Sequence, residues 1–306
     1  MKPAPFDYVA PRTLEEAVAA LARGGPDAKV LAGGQSLIPL MNFRLARPSL
    51  LVDLNRLPEL AYITPRAGGL AFGAMTRQAA VERHPNLAAT QPLLAEAIRW
   101  VGHAAIRSRG TFGGSLAHAD PAAELTAVAV CLDAQLRMLG PKGRRDIPAA
   151  DFFQGYLTTA LVPDEILEDI WLPSLPPRTG QAWLEFARRH GDFALVGVAA
   201  SISVDGESIS DARLVLTGVD ATPVRARQAE ILLTGGTLDE RVAAAAEAVR
   251  GVIHPEADIH ASREYRLHLA VVLAERAIRL AHERALQAAP QALDVGRMLD
   301  TMSRHA

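Results

Sequence analysis

The chain has 306 residues, 49% of them apolar and 22% charged, with a net charge of −2. That length carries two domains with cores of their own, the balance is that of an ordinary globular protein, and no basic patch points to nucleic acid. The single cysteine, Cys131, excludes an internal disulfide, and it excludes an iron–sulfur cluster or Cys-based zinc site held by this chain alone. Its run LTAVAVCL reads as packed core. MKPAPFDYV reads as neither a secretory nor a transit peptide, and no apolar run is long enough for a membrane span, so the expected compartment is the cytoplasm.

In chain order, Thr13 and Glu16 open a helix in a capping-box-like pattern, and Gly24-Gly25 ends it. Residues 29–32 and 49–54 read as buried strands, giving a small α/β lobe. Residues 61–74 alternate around Gly68-Gly69 as a hairpin does, and 76–83 and 93–101 read as helices. Residues 103–109 lead into a glycine-rich stretch, and a helix is expected directly after it at 122–132. Strands follow at 136–138, 145–147 and 166–172. PSLPP, at 173–177, is the expected domain boundary. Beyond it, strands at 182–188, 196–204 and 212–219 make an antiparallel sheet with an Asp205-Gly206 turn. Helices are expected at 225–233, 238–252 and 262–287, the last with the apolar stripe Leu267, Val271, Ala274, Ile278 and Ala281. The tail has no clear pattern. The division is therefore 1–175, with lobes at about 1–56 and 57–175, then 178–287, then the tail 288–306.

Two stretches carry the chemistry. KVLAGGQSLIPL, at 29–40, sets Gly33-Gly34 after a short apolar run, with Ser36 close behind. RGTFGGSLAHADPAAE, at 109–124, sets Gly113-Gly114 between Thr111 and Ser115. Glycine permits positive φ and lets a ligand approach the backbone, so successive N–H groups can point at one anion. A helix beginning just after the second loop would add the positive end of its dipole. Either pair alone also reads as a plain turn, and neither is a P-loop or a Rossmann fingerprint. The residues themselves point to phosphate or dinucleotide loops, two loops for two phosphates.

AGGQSLIP followed by TFGGSLAHADPAAE resembles the flavin loops of the FAD-binding medium subunit of molybdenum hydroxylases, the xanthine dehydrogenase and carbon monoxide dehydrogenase family. FDYVAPRTLEEAVAAL, LVDLNRLPEL, DFFQGYLTTALVPDEILEDIWLP and RRHGDFALVGVAA extend the resemblance over nearly the whole chain. It implies an α+β architecture: a two-lobed FAD-binding domain of vanillyl-alcohol-oxidase (PCMH) type, then a smaller α+β domain with a three-stranded antiparallel sheet and helices.

The resemblance also implies a site. Ala32, Gly33, Gly34, Gln35 and Ser36, flanked by Leu31 and Leu37, would hold the FAD pyrophosphate and neighbouring groups together with Thr111, Gly113, Gly114 and Ser115. Lys29 is either a charge near the phosphates or a solvated strand-end lysine. His118, Asp120 and Glu124 follow the second loop; a carboxylate facing a phosphate is repelled, so the two acids are expected to accept from cofactor hydroxyls or amides. Asp120 reads equally as a helix N-cap. His118 has no second ligand at metal spacing. Leu167 lies where the family backbone meets the adenine or flavin ring, and read alone it is core. Relatives often bring a lysine to the flavin from the segment 184–193, whereas this chain has Glu185 there and no lysine. Asp192 and Phe193 become the expected contacts, Phe193 as an aromatic cover. Arg188 and Arg189 read as surface charges. The first loop holds Gln35 and no histidine, so FAD is expected to be non-covalent.

The function so implied is electron transfer. A large molybdenum-cofactor subunit hydroxylates substrate, a small subunit with [2Fe–2S] clusters relays electrons, and FAD on this chain passes them to NAD, a quinone or a cytochrome. The expected assembly is a dimer of heterotrimers, without nucleic acid or membrane span. The alternatives are a free-standing flavoprotein oxidase or reductase, and a flavin-free scaffold subunit.

Overall fold

The structure is a computed structural model that describes residues 2–288. The tail expected at 288–306 lies outside the described residues except for Ala288. The first lobe runs β1 (Asp7–Val9), α1 (Leu14–Gly24), β2 (Ala28–Leu31), α2 (Leu37–Asn42) and β3 (Leu50–Asp53). Its three strands are parallel in the order β1-β3-β2. The Thr13 hydroxyl accepts from the Glu16 N–H at 3.2 Å, so the cap read from sequence forms. Leu14, Ala17, Val18 and Leu21 then line one face of α1, spaced for a helix, and pack with Val52 and Leu54. Strand β1 has no counterpart in the sequence reading. Asp7 and Tyr8 are exposed, so no alternation marks it, and its pairing comes from the free edge of β3.

The second lobe runs β4 (Ile63–Arg66), β5 (Gly69–Gly73), α3 (Gln78–Glu82), α4 (Leu87–Thr90), α5 (Pro92–Ala97), α6 (Ala104–Arg109), α7 (Phe112–His118) and α8 (Glu124–Cys131). It continues through β6 (Gln135–Gly140), β7 (Gly143–Pro148), α9 (Ala149–Phe152), β8 (Phe153–Gly155), β9 (Thr158–Thr159) and β10 (Ile166–Pro173). The late strand β10 inserts at the centre of an antiparallel sheet, β4-β5-β10-β6-β7. Every residue of α8 is buried, which suits a helix apolar on nearly all sides. Residues 103–109, read only as leading into the glycine stretch, contain the helix α6. Three expectations are corrected here. The second glycine stretch is itself the helix α7. The helix expected at 93–101 ends at Ala97, and that expected at 122–132 begins only at Glu124.

The C-terminal unit has β11 (Thr179–Phe186), β12 (Val196–Asp205), β13 (Ser208–Thr217), α10 (Arg227–Leu233), α11 (Leu238–Ala248) and α12 (Arg263–Gln287). The three long strands are antiparallel, and a two-residue edge strand, β14 (Val224–Arg225), adds a fourth. Successive side chains of β11 face opposite ways. Gly180 and Ala182 face α12, where a Cβ on Gly180 would stand 2.1 Å from the Ala281 carbonyl oxygen. Gln181, Trp183 and Glu185 face the second lobe: the Leu93 N–H donates to Gln181 Oε1 at 3.1 Å, and Trp183 joins the core of that lobe. The sheet is covered on both faces, so nine of the ten residues of β12 are buried. Among the described residues, no helix is long and apolar enough to cross a membrane.

Candidate functional site

The first glycine motif joins β2 to α2. Gly34 has φ +74°, a conformation that favours glycine. From Gly33 through Leu37, five successive backbone N–H groups have no protein acceptor among the described residues. Helix α2 begins at Leu37, and the hydroxyl of its N-cap Ser36 makes no capping bond. All of Leu31 to Leu37 is half-buried. Free donors, positive φ and little side-chain bulk at a strand-to-helix turn make an anion cradle.

The second motif does something else. Thr111 is the N-cap of α7, and its Oγ1 accepts from the Gly114 N–H at 3.0 Å. Phe112 and Gly113 donate to the carbonyls of Thr76 and Ala74, both at 2.9 Å, and Ser115 donates to that of Thr111. The second motif therefore offers no free run of N–H groups, contrary to the reading of two equivalent loops. It offers a smooth wall and the Ser115 side chain. Helix α7 is pressed so close to β5 that a Cβ on Gly113 would stand 2.5 Å from that of Ala74.

The two motifs, about eighty residues apart in the chain, meet face to face. A Cβ on Gly33 would stand 2.4 Å from the Arg109 carbonyl oxygen, and one on Gly114 would stand 3.4 Å from the Ala32 Cβ. Two side chains that sequence reasoning missed hold this junction. Asn55 donates to the Ala32 carbonyl at 2.9 Å. Arg77 donates to Asn55 Oδ1 at 2.5 Å and, through its other terminal nitrogen, to the Arg109 carbonyl. Burial, and then the charge of Arg109, push the Arg77 guanidinium below its ordinary value, so two cations crowd the mouth of the cradle. Asn55 stands inside LVDLNRLPEL, a stretch that marked the resemblance without revealing its task.

The remaining expected residues separate. Lys29 is exposed on β2, and His118 is half-buried at the C-terminal end of α7. Asp120 is not the N-cap of α8, which is Ala123; its carboxylate accepts from the Ala122 N–H at 2.9 Å in the turn between α7 and α8. Leu167 is buried on β10 within the core of the second lobe. Asp192 and Phe193 lie in the loop between β11 and β12, where Phe193 is 71% exposed. That loop lies against the second lobe. His190 stacks on Trp100 at 5.4 Å between centroids, and a Cβ on Gly191 would stand 2.2 Å from the His103 ring. Arg188 and Arg189 are both exposed, as expected of surface charges, and Arg188 donates to His260 Nδ1 at 3.0 Å.

Glu124, at the start of α8, is only 7% exposed, and burial with the charge of Asp120 pushes its carboxyl up to about 7. Glu185 is 8% exposed, and burial with the charge of Glu124 pushes its carboxyl up to about 8. Burial pushes the Cys131 thiol up to about 12, which makes it an inert core group. Among the described residues, no cluster of three His, Cys, Asp or Glu side chains is placed to hold a metal.

Residues 4–175 match the family described as the FAD binding domain in molybdopterin dehydrogenase. The chain belongs to this family. Residues 181–281 match the CO dehydrogenase flavoprotein C-terminal domain. The 6-hydroxypseudooxynicotine dehydrogenase complex subunit alpha of Paenarthrobacter nicotinovorans is 42% identical over 287 residues, covering 93% of this chain and 97% of that one. The carbon monoxide dehydrogenase medium chain of Hydrogenophaga pseudoflava is 37% identical over 285 residues, covering 93% and 99%. A solved structure of carbon monoxide dehydrogenase from Hydrogenophaga pseudoflava superposes with a TM-score of 0.91 at 38% identity, covering 94% of this chain and all of that one. Like those relatives, this chain is an oxidoreductase subunit of the molybdenum hydroxylase family, with the fold that the sequence led one to expect. The donor run from Gly33 to Leu37, walled by α7, fits the pyrophosphate of FAD.

Proposed function

We propose that this chain is the FAD-bearing electron-transfer member of a molybdenum hydroxylase complex. The observation that carries the reading is the run of five unpartnered N–H groups from Gly33 to Leu37, closed on one side by α7 and flanked by Arg77 and Arg109. These donors hold the pyrophosphate, and Ser36 and Ser115 offer hydroxyls beside it. Phe193 and Asp192 stand on the loop nearest Trp100 and His103, available to the ring end. Bound FAD supplies a redox centre that takes electrons from [2Fe–2S] clusters of a small partner subunit and passes them to an acceptor. Those clusters and the molybdenum cofactor belong to other chains, because one buried cysteine cannot supply four thiolates.

The test is reconstitution of the isolated chain with FAD. Wild type should bind one FAD, and Ser36→Asp, which sets a carboxylate among the donors, should weaken binding at least about tenfold, the equivalent of about 1.4 kcal/mol. Acid precipitation should leave the flavin in solution, since Gln35 stands where a linking histidine would be needed. Yellow colour retained in the denatured pellet would show a covalent bond instead.

A further inference from the structure

The loop between β11 and β12, residues 187–195, is clamped at base and tip yet leaves its largest side chain uncovered. At the base, the Leu195 N–H donates to the Phe186 carbonyl at 2.9 Å. At the tip, His190 stacks on Trp100, and a Cβ on Gly191 would stand 2.2 Å from the His103 ring. Between tip and base, Asp192 and Phe193 are both exposed. Helix α6 leads from this loop to the cradle. His103 is its N-cap, and Arg109, at its other end, carries the carbonyl against which Gly33 packs. The helix has six residues, about 9 Å at 1.5 Å per residue.

The base of the loop is held by a residue with no task in the reading above. Arg266 projects from the first turn of α12 and is only 7% exposed. Its Nη1 donates to the Leu195 carbonyl at 2.6 Å and to the Gly218 carbonyl at 3.3 Å. Its Nη2 donates to Asp258 Oδ2 at 2.7 Å, while Asp258 Oδ1 accepts from the N–H groups of His260 and Ala261. The two carbonyls converge because Gly218 packs on the loop base, where its Cβ would stand 2.8 Å from the Leu195 oxygen. Gly218 in turn donates to the Pro121 carbonyl at 2.8 Å, and the Thr217 hydroxyl donates to the same carbonyl at 2.6 Å. Pro121 lies in the turn between α7 and α8, next to Asp120. One guanidinium nitrogen therefore joins the loop to the turn behind the second glycine motif. The Arg266 Nε is buried without a partner among the described residues. Burying a guanidinium with one N–H unmatched costs stability, so packing alone does not account for an arginine here.

We infer that Arg266 is a positioning residue for the ring end of FAD. This rests on the FAD reading above. Arg266 lies outside the pyrophosphate cradle, which belongs to the first lobe. It acts through the loop, keeping Asp192 and Phe193 in place relative to His118 and Asp120. Lysine would keep the charge, but its single ammonium lacks the planar fork that serves two carbonyls and a carboxylate together. Loss of the clamp frees the loop and leaves the donors from Gly33 to Leu37 as they are.

The experiment compares FAD with ADP, which carries the adenine and pyrophosphate but no ring. Both dissociation constants are measured on the full chain, with the apo Tm. Arg266→Lys should weaken FAD about tenfold, the scale of one charge-assisted hydrogen bond, and leave ADP within about twofold. The visible band of the flavin that still binds should move toward that of free FAD in water. His190→Ala, which loosens the tip of the same loop, should give the same split. Should Arg266→Lys fail to fold, Asp258→Asn, at the exposed end of the clamp, takes its place. FAD and ADP weakened equally, FAD unchanged in a folded variant, or no split in His190→Ala would overturn the positioning role and leave the FAD reading intact. Wild type that binds FAD but not ADP would overturn it as well, because the cradle would then not be the anchor. A folded wild type that binds neither would overturn both readings.

Discussion

A methyl group on Gly33 would stand 2.4 Å from the Arg109 carbonyl oxygen and 2.8 Å from the Gly110 Cα. Neither is the end of a flexible side chain, so one backbone must move. Gly33→Ala should therefore part the two motifs, costing about 1–3 kcal/mol of stability as overpacking does, and should lose most bound FAD. Thermal denaturation and flavin content check the two effects. Gly114 is different, although it too belongs to a Gly-Gly pair. Its added Cβ would meet Thr111 Oγ1 at 2.5 Å and would only touch Ala32. Gly114→Val should act first through the lost N-cap of α7, which is worth about 1 kcal/mol. Thr111→Val should reproduce much of that loss of Tm without filling any space near the first motif.

At the scale of elements, the junction between the motifs depends on Arg77, which bridges Asn55 and the Arg109 carbonyl. Arg77→Ala should leave the fold standing, lower Tm by a few degrees, and weaken FAD binding by about tenfold, because a cation and a spacer leave the cradle together. Unchanged FAD affinity in that variant would mean that the clamp does not set the cradle. Elements whose local chemistry agreed with their final place were legible in the sequence: α1 from Thr13 and its apolar spacing, the β4–β5 hairpin from Gly68-Gly69, and β12–β13 from Asp205-Gly206. Helix α7 was not. Two adjacent glycines cost a helix about 1 kcal/mol each relative to alanine, so TFGGS reads as a loop. It is helical because Thr111 caps it and because only glycine fits at 113 against Ala74. The donor run of the first motif could be read from AGGQS. The occupation of the second motif's donors could not, since their acceptors, Ala74 and Thr76, lie on a turn far away in sequence. Glu185 was noticed only as a missing lysine. Its burial, with the Trp183 indole donating to it, depends on β11 packing against the second lobe, a long-range arrangement without a local signal.

Across the whole molecule, the proposed FAD cradle stands without a metal centre among the described residues, which is the division of labour the electron-transfer proposal requires. One cysteine, fully buried, cannot ligate an iron–sulfur centre, and the described residues bring no group of His, Cys, Asp and Glu together for a metal. Glu124 and Glu185 are each buried, and a substrate base needs reach to substrate. The relatives that span the same length carry subunit or chain names within dehydrogenases, which agrees with a division of labour. The isolated chain, loaded with FAD, should accept electrons from a chemical reductant such as dithionite and bleach in the visible. It should leave purines, aldehydes and N-heterocycles unchanged. Adding a cluster-bearing small subunit with its large molybdenum chain should restore substrate-dependent bleaching, with a stable interface of at least about 1,000 Å² formed between the chains. Substrate turnover by the metal-free isolated chain would overturn the electron-transfer reading, since it would require a catalytic centre that this chain supplies by itself.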